Sequence, residues 1–142
     1  MTWGETGVSA ADERLLIDRL AVAAERTPGA PFTADLSNSQ AWARSGSVAS
    51  WLIAQGYGPG GKALAAPSAD PVLVLAALRA GARLDPSGVP LPAGLAVEAL
   101  MRCSVDAAVA ERRLHIAADT PALVRGDRTL AHKDIATLAD AL

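Results

Sequence analysis

The sequence predicts an α/β fold, with a small parallel-type sheet flanked by helices and a C-terminal β-hairpin followed by a helix. Helical and strand patterns alternate between residues 40 and 110, an order typical of a parallel sheet with helices on its faces. About half of the 142 residues (51%) are apolar, mainly Ala, Leu and Val, so a core of small side chains is available. A chain of this length is expected to form one domain.

Caps and breakers place the elements of the first half. Ser37 or Ser39 can cap a helix, and Gly56 can end it. Trp42 is placed on the inner face of that helix. The predicted elements are a flexible tail at 1–10, a helix at 11–26, a short strand at 31–36, a helix at 40–55 and a short strand at 62–66.

The second half carries the clearest helix start. Asp70 can cap a helix whose first residue is Pro71, a favoured first-turn residue, and Gly81 can end it. Arg125-Gly126-Asp127 is predicted to be a turn between short strands at 122–124 and 128–130. The predicted elements are a helix at 71–80, a short strand at 82–84, an irregular stretch at 85–92, a helix at 93–103, a strand at 107–110, a hairpin at 121–130 and a helix at 133–142.

Composition argues against several classes of function. The net charge is −2 and no basic block is present, which is untypical of nucleic-acid binding. Cys103 is the single cysteine and is expected to be a buried thiol, while His115 and His132 are isolated, so neither a disulfide nor a metal site is predicted. No membrane span or signal peptide is expected, so a soluble protein is predicted, and the single cysteine fits a reducing, cytoplasmic setting.

Four segments, in order, carry a resemblance to a known family. They are ERTPGAP at 25–31, GPGGKALAAPSAD at 58–70, VLVLAALRAGARLDP at 72–86, and the helix-and-strand pattern at 91–109. Together they resemble the N-terminal part of the adenylate-forming superfamily, which includes acyl-CoA synthetases, peptide-synthetase adenylation domains and luciferases. The alternative is an unrelated Ala-rich α/β domain with similar helix–turn–strand order.

The segment at 119–142, DTPALVRGDRTLAHKDIATLADAL, is similar to the same family's opening. Segments 27–52 and 120–142 are therefore predicted to be weak repeats of one hairpin-plus-helix unit. The chain divides into a tail at 1–10, a truncated synthetase-like domain at 11–118 and a second hairpin–helix element at 119–142.

The residues that the family uses for chemistry have no counterpart here. The resemblance implies an ATP-binding Ser/Thr/Gly loop ending in Pro-Lys and a catalytic lysine from a mobile domain, and the chain contains neither. The segment 56–62, GYGPGGK, fits a phosphate-loop spacing, but Ala63 replaces the required Ser or Thr and the loop follows a helix. No catalytic residue and no cofactor are predicted, and Glu111-Arg112-Arg113 is expected to be a solvated surface.

These observations favour a non-catalytic binding or scaffold protein in acyl or natural-product assembly. We expect a homodimer, with a synthetase, a carrier protein or an assembly-line enzyme as a further partner. One alternative is part of a split AMP-forming acyl-activating enzyme completed in trans, and another is a relic of a synthetase. Since Trp42 and Trp51 point to different helix faces, one is expected to be exposed at an interface. The predicted interface residues are Trp42, Trp51, Leu123, Ile135 and Leu138.

Overall fold

A computed structural model describes residues 16–65, 70–102, 104–105, 107–114, 116–117, 119–125 and 127–134. Within these residues the fold is mixed α/β, as predicted, with four helices of 8 to 17 residues and strands of at most 5 residues. The helices are α1 (Leu16–Arg26), α2 (Asn38–Ala54), α3 (Pro71–Ala80), α4 (Val97–Leu100) and α5 (Ala107–Leu114). The strands are β1 (Pro31–Thr33), β2 (Leu36–Ser37), β3 (Leu64–Ala65), β4 (Val89–Pro90), β5 (Pro121–Arg125) and β6 (Arg128–Ala131).

The caps of α2 and α3 are those that the sequence predicts. Ser37, not Ser39, is the N-cap of α2, and its side chain accepts a hydrogen bond from the Gln40 amide. The Asp70 carboxylate accepts one from the Val72 amide at 2.9 Å, directly before Pro71 at the first position of α3. The first residue of each helix is therefore determined by a capping side chain directly before it.

The core lies mainly between α2 and α3. Small side chains let the two helices approach closely, while Leu52, Leu64 and Val48 fill the space around them. Gly81 ends α3 in the left-handed conformation (φ 75°), where a side chain would be strained and would also contact Pro59. The alanines that are fully buried are Ala41, Ala49, Ala76, Ala77, Ala80, Ala82 and Ala122.

The strands form two-stranded pairs that single residues connect. β3 pairs with β4 in parallel, and β5 pairs with β6 as the predicted antiparallel hairpin. Leu84 lies between the two pairs, because its amide donates to the Ala122 carbonyl (2.8 Å) and its carbonyl accepts from the Val124 amide (2.7 Å). On its other side Leu84 bridges Leu64 in parallel. The predicted strand at 82–84 is thus reduced to one bridging residue.

A first hairpin–helix element spans residues 27–54 and comprises β1, β2 and α2. The Ala30 amide donates to the Thr27 carbonyl (3.1 Å), and the Asn38 amide donates to the Ala30 carbonyl (2.9 Å). The Ser37 amide donates to the Gln40 side-chain oxygen (3.0 Å). The predicted strand at 31–36 is thus a small hairpin that leads directly into α2.

A second hairpin–helix element spans residues 117–134 and repeats this scheme. The Thr120 amide donates to the Ala117 carbonyl (3.0 Å), and the His132 amide donates to the Thr120 carbonyl (3.0 Å). The Ala131 amide donates to the Asp134 carboxylate (2.9 Å). Residues 132–134 are helical. The two elements predicted as repeats therefore share equivalent hydrogen bonds at three positions.

Two further predicted elements were wrong in type or length. Residues 107–110 belong to α5 rather than to a strand, because alanine is the strongest helix former and only Val109 of these four is buried. The helix predicted at 93–103 is a single turn, α4. The predicted tail at 1–10 and the parts of predicted helices at 11–15 and 135–142 lie outside the described residues.

None of the helices that the structure describes combines the length and the apolar character needed to cross a bilayer.

Candidate binding surface

An open cleft of about 320 Å³ lies where three helices meet, and we refer to it as the Trp42 cleft. Helix α1 contributes two alanines and a glutamate at spacings of three and four residues, which places them on one helix face. Helix α2 contributes a serine and the indole, and α5 contributes an arginine. The residues that line the cleft are Ala21, Ala24, Glu25, Ser39, Trp42 and Arg113.

The indole of Trp42 is held in place by the buried Arg79 of α3. The guanidinium carbon of Arg79 lies 3.6 Å from the centre of the indole ring, a stacked cation–π geometry. Its Nη1 donates to the Trp42 carbonyl (2.5 Å) and to the Ser45 hydroxyl (3.1 Å). Gly46 lies beside it, where a Cβ would come within 2.8 Å of Nη1 and displace the guanidinium. These contacts fix the position of one wall of the cleft.

Arg113 of α5 reaches the same indole from the cleft. Its Nε donates to the Asp18 carboxylate of α1 at 2.7 Å, across 95 residues of sequence, and its guanidinium carbon lies 5.9 Å from the Trp42 ring centre. The Asp18 side chain is 7% exposed and that of Arg113 is 33% exposed. Arg113 is therefore oriented by a mostly buried partner while its own end remains accessible.

The electrostatics around Trp42 are dominated by two guanidinium groups. Burial, and secondarily the positive charge of Arg113, lowers the pKa of Arg79 to about 10, so Arg79 stays charged at neutral pH. Among the described residues Arg79 contacts a carbonyl, a hydroxyl and an aromatic ring but no carboxylate. Glu25 is solvent-exposed at the rim of the cleft, where water screens its charge.

Arg112, next to Arg113, attaches α5 to the rest of the molecule. Its Nη1 donates to the Ala80 carbonyl at the end of α3 (2.6 Å) and to the Tyr57 carbonyl (3.2 Å). Gly58 leaves the space for this side chain, because a Cβ there would overlap it. The expectation that residues 111–113 form a solvated surface is wrong for both arginines: Arg112 anchors α5, and that anchor helps to place Arg113 in the cleft.

The predicted interface residues fall into different environments. Trp42 lines the cleft, whereas Trp51 is partly buried and packs against the main core. The expectation that one of the two tryptophans stands exposed is wrong, since each is only partly accessible. Leu123 also packs against the core and pairs with Leu130 in the hairpin. Ile135 and Leu138 lie outside the described residues, as do Cys103 and His115.

The acidic and histidine side chains of the described residues are scattered rather than clustered. No group of three or more His, Cys, Asp or Glu side chains comes together among them in a way that could hold a metal ion. Asp85 accepts from the amide and the hydroxyl of Ser87 in a turn, and these hydrogen bonds lower the pKa of its carboxyl group. The cleft presents an indole and an arginine, both held in position, beside the small side chains of α1.

Comparison of this chain with protein-family models, with curated proteins and with solved structures found no match.

Proposed function

We propose that this protein is a non-catalytic binding or scaffold protein of acyl or natural-product assembly, derived from the N-terminal part of an adenylate-forming synthetase. The observation that carries the proposal is the Trp42 cleft. Four helices hold an indole and an arginine there, through one contact between residues 37 positions apart and one between residues 95 positions apart. Tryptophan and arginine are the side chains that most often dominate binding between proteins.

The resemblance to synthetases supports the same proposal. The segments at 25–31, 58–70 and 72–86 follow the family's order, while its phosphate loop and catalytic lysine have no counterpart. The loop at 56–62 connects the end of α2 to β3, and Lys62 lies 5.5 Å from the centre of the Tyr57 ring. It therefore lacks the helix start that holds phosphate in a phosphate loop.

A homodimer is the proposed assembly. Large apolar side chains remain accessible on the described surface, and a second copy of the chain would cover part of them. The bridges through Leu84 support one continuous parallel-type sheet whose ends are β4 and the hairpin. The accessible side chains are Phe32 (37% exposed), Val89 (41%), Val105 (49%) and Leu114 (80%).

The alternative function is one part of a split AMP-forming acyl-activating enzyme. The observation that favours it is the one-sided pairing of β4, since Val89 and Pro90 pair only with β3 among the described residues and are exposed. A completing chain would pair at this edge as a donor, because Pro90 has no N–H and the Val89 amide already donates to the Ala63 carbonyl (2.8 Å). The Val89 carbonyl accepts from the Tyr57 hydroxyl (3.2 Å).

The test is a calorimetric titration with a phosphopantetheinylated acyl carrier protein, together with the solution mass from light scattering at micromolar concentration. We expect a dimer that binds the carrier protein, and we expect Ala24→Leu, which fills the cleft, to abolish binding. Arg102→Ala, an exposed arginine outside the cleft, is the matched control. A monomer that binds no carrier protein would argue against the proposal.

Pyrophosphate exchange with ATP separates the two functions. The chain alone should give none under either of them. Activity that appears only on mixing with the chain encoded next to it would favour the split enzyme.

A further inference from the structure

Arg113 uses only a small part of its hydrogen-bonding capacity. A guanidinium carries five N–H groups, and Arg113 donates through Nε to Asp18. Within the described part of the chain its two terminal nitrogens have no acceptor, although they belong to a side chain that lines the cleft. Two parallel N–H groups at the end of a guanidinium match the two oxygens of a carboxylate.

The neighbourhood favours an anion at this position. Arg79 adds a second positive charge behind the indole, and it has no carboxylate partner among the described residues. The Asp18 carboxylate is already engaged by Arg113 and is mostly buried. A negative group that enters the cleft therefore meets one free guanidinium edge and the field of a second cation.

We propose that the Trp42 cleft binds a single carboxylate side chain of a partner protein, with an apolar neighbour of that residue lying against Trp42. The inference rests on the proposed binding function and names the chemistry of the partner segment. The carboxylate contacts the terminal nitrogens of Arg113. The flanking apolar side chain lies over Ala21 and Ala24, where the absence of larger side chains leaves room.

Glu25 determines how much negative charge the cleft accepts. It lies at the rim, one helical turn from Ala21, and it is exposed. A second acid on the ligand would approach this carboxylate and be repelled, so the cleft selects an isolated acid among apolar residues rather than an acidic run.

The experiment uses the full chain and two short amidated peptides, one with a glutamate between two leucines and one with glutamine in its place. Binding is followed by two-dimensional NMR of the backbone amides and the arginine Nε–H groups. We expect the glutamate peptide to shift the signals of Ala21, Ala24 and Arg113. The glutamine peptide should bind about tenfold more weakly, as expected for loss of a charge-assisted pair.

Two protein variants localise the effect. Arg113→Lys keeps the charge but removes the two-pronged donor, so we expect a loss of about tenfold for the glutamate peptide and little change for the glutamine peptide. Arg102→Lys is the matched control and should leave both affinities unchanged. Because the key comparison is between two peptides on the unaltered protein, a variant that fails to fold does not decide the result.

Equal affinity for the two peptides, shifts that map away from the cleft, or no shifts at millimolar peptide would overturn the proposal. These results are distinguishable from failure of the proposed function. A carrier protein that still binds in an Ala24-sensitive way would leave the function standing and remove only the carboxylate assignment.

Discussion

The two hairpin–helix elements share equivalent hydrogen bonds at three positions but differ at the first helical residue. In the first element this residue is Asn38, whose side-chain amide donates to the carbonyl (3.0 Å) and the hydroxyl (3.3 Å) of Thr27. In the second it is His132, which is 3% exposed and whose Nε2 has no hydrogen-bond partner among the described residues. Ala117 occupies the position equivalent to Thr27. The same local geometry thus stabilises a polar side chain in one element and isolates one in the other.

The largest difference between the elements should appear as a dependence of stability on pH. Burial lowers the pKa of His132 from 6.5 to about 4, so the unfolded chain takes up its proton first as the pH falls. The free energy of unfolding should therefore be unaffected by His132 above pH 7, fall between pH 6.5 and 4, and stay level below that. The full loss is about 3 kcal/mol. Urea unfolding at a series of pH values measures it.

The control variant places asparagine at the first helical residue of the second element, as in the first. His132→Asn removes the titrating group and provides an amide that can donate to the Ala117 carbonyl, as Asn38 does to Thr27. We expect the slope between pH 6.5 and 4 to flatten and the stability at pH 7 to rise by about 1 kcal/mol. An unchanged slope in this variant would show that another group causes the dependence.

The next largest effect concerns the leucine directly before the N-cap position of each element, Leu36 before Ser37 and Leu130 before Ala131. Leu36 is 8% exposed and belongs to the main core, whereas Leu130 is only partly buried. Leu36→Ala should cost about 2 kcal/mol and Leu130→Ala about 1 kcal/mol, because the first leaves the larger cavity. Thermal and urea unfolding of the two variants compare them. Equal losses would mean that the second hairpin is as deeply packed as the first.

The smallest effect concerns the caps themselves. Ser37 accepts from the Gln40 amide and its own amide donates to the Gln40 side chain, but Ala131 has only the second of these bonds. Ser37→Ala should therefore cost about 1 kcal/mol, and Ala131→Ser should add up to about 1 kcal/mol by supplying the missing acceptor. Urea midpoints report both changes. A destabilising Ala131→Ser would indicate that the half-buried site has no room for the hydroxyl.

The elements that could be predicted from the sequence are those whose ends are set by residues close together in the chain. The caps at Ser37 and Asp70 and the stop at Gly81 each depend on a few neighbouring residues, so they are visible without the fold. The hairpin predicted at 121–130 is present as β5 and β6, although Arg125, predicted as a turn residue, belongs to β5 and pairs with Arg128. Strands of one or two residues, such as Leu84 and β4, are too short to produce an alternating pattern, and their hydrogen bonds depend on partners distant in sequence.

The binding cleft was predictable only in part. Trp42 was chosen for its aromatic ring, but its arginine neighbours come from α3 and α5. Arg79 is the single charged residue in the otherwise apolar helix at 71–80, which could have indicated a buried cation. Nothing local distinguishes Arg113 from a solvated arginine, because its role depends on Asp18, 95 residues away.

The anchoring of α5 also constrains the order in which the chain can fold. Arg112 closes loops of 32 and 55 residues when it reaches the carbonyls of Ala80 and Tyr57. Such closures are entropically costly, so they follow the local formation of α2 and α3. During synthesis the Ala80 carbonyl at the end of α3 and the Tyr57 carbonyl after α2 can accept these bonds only once residue 112 has left the ribosome. The cleft is consequently assembled late, after most of the core-forming sequence has already emerged.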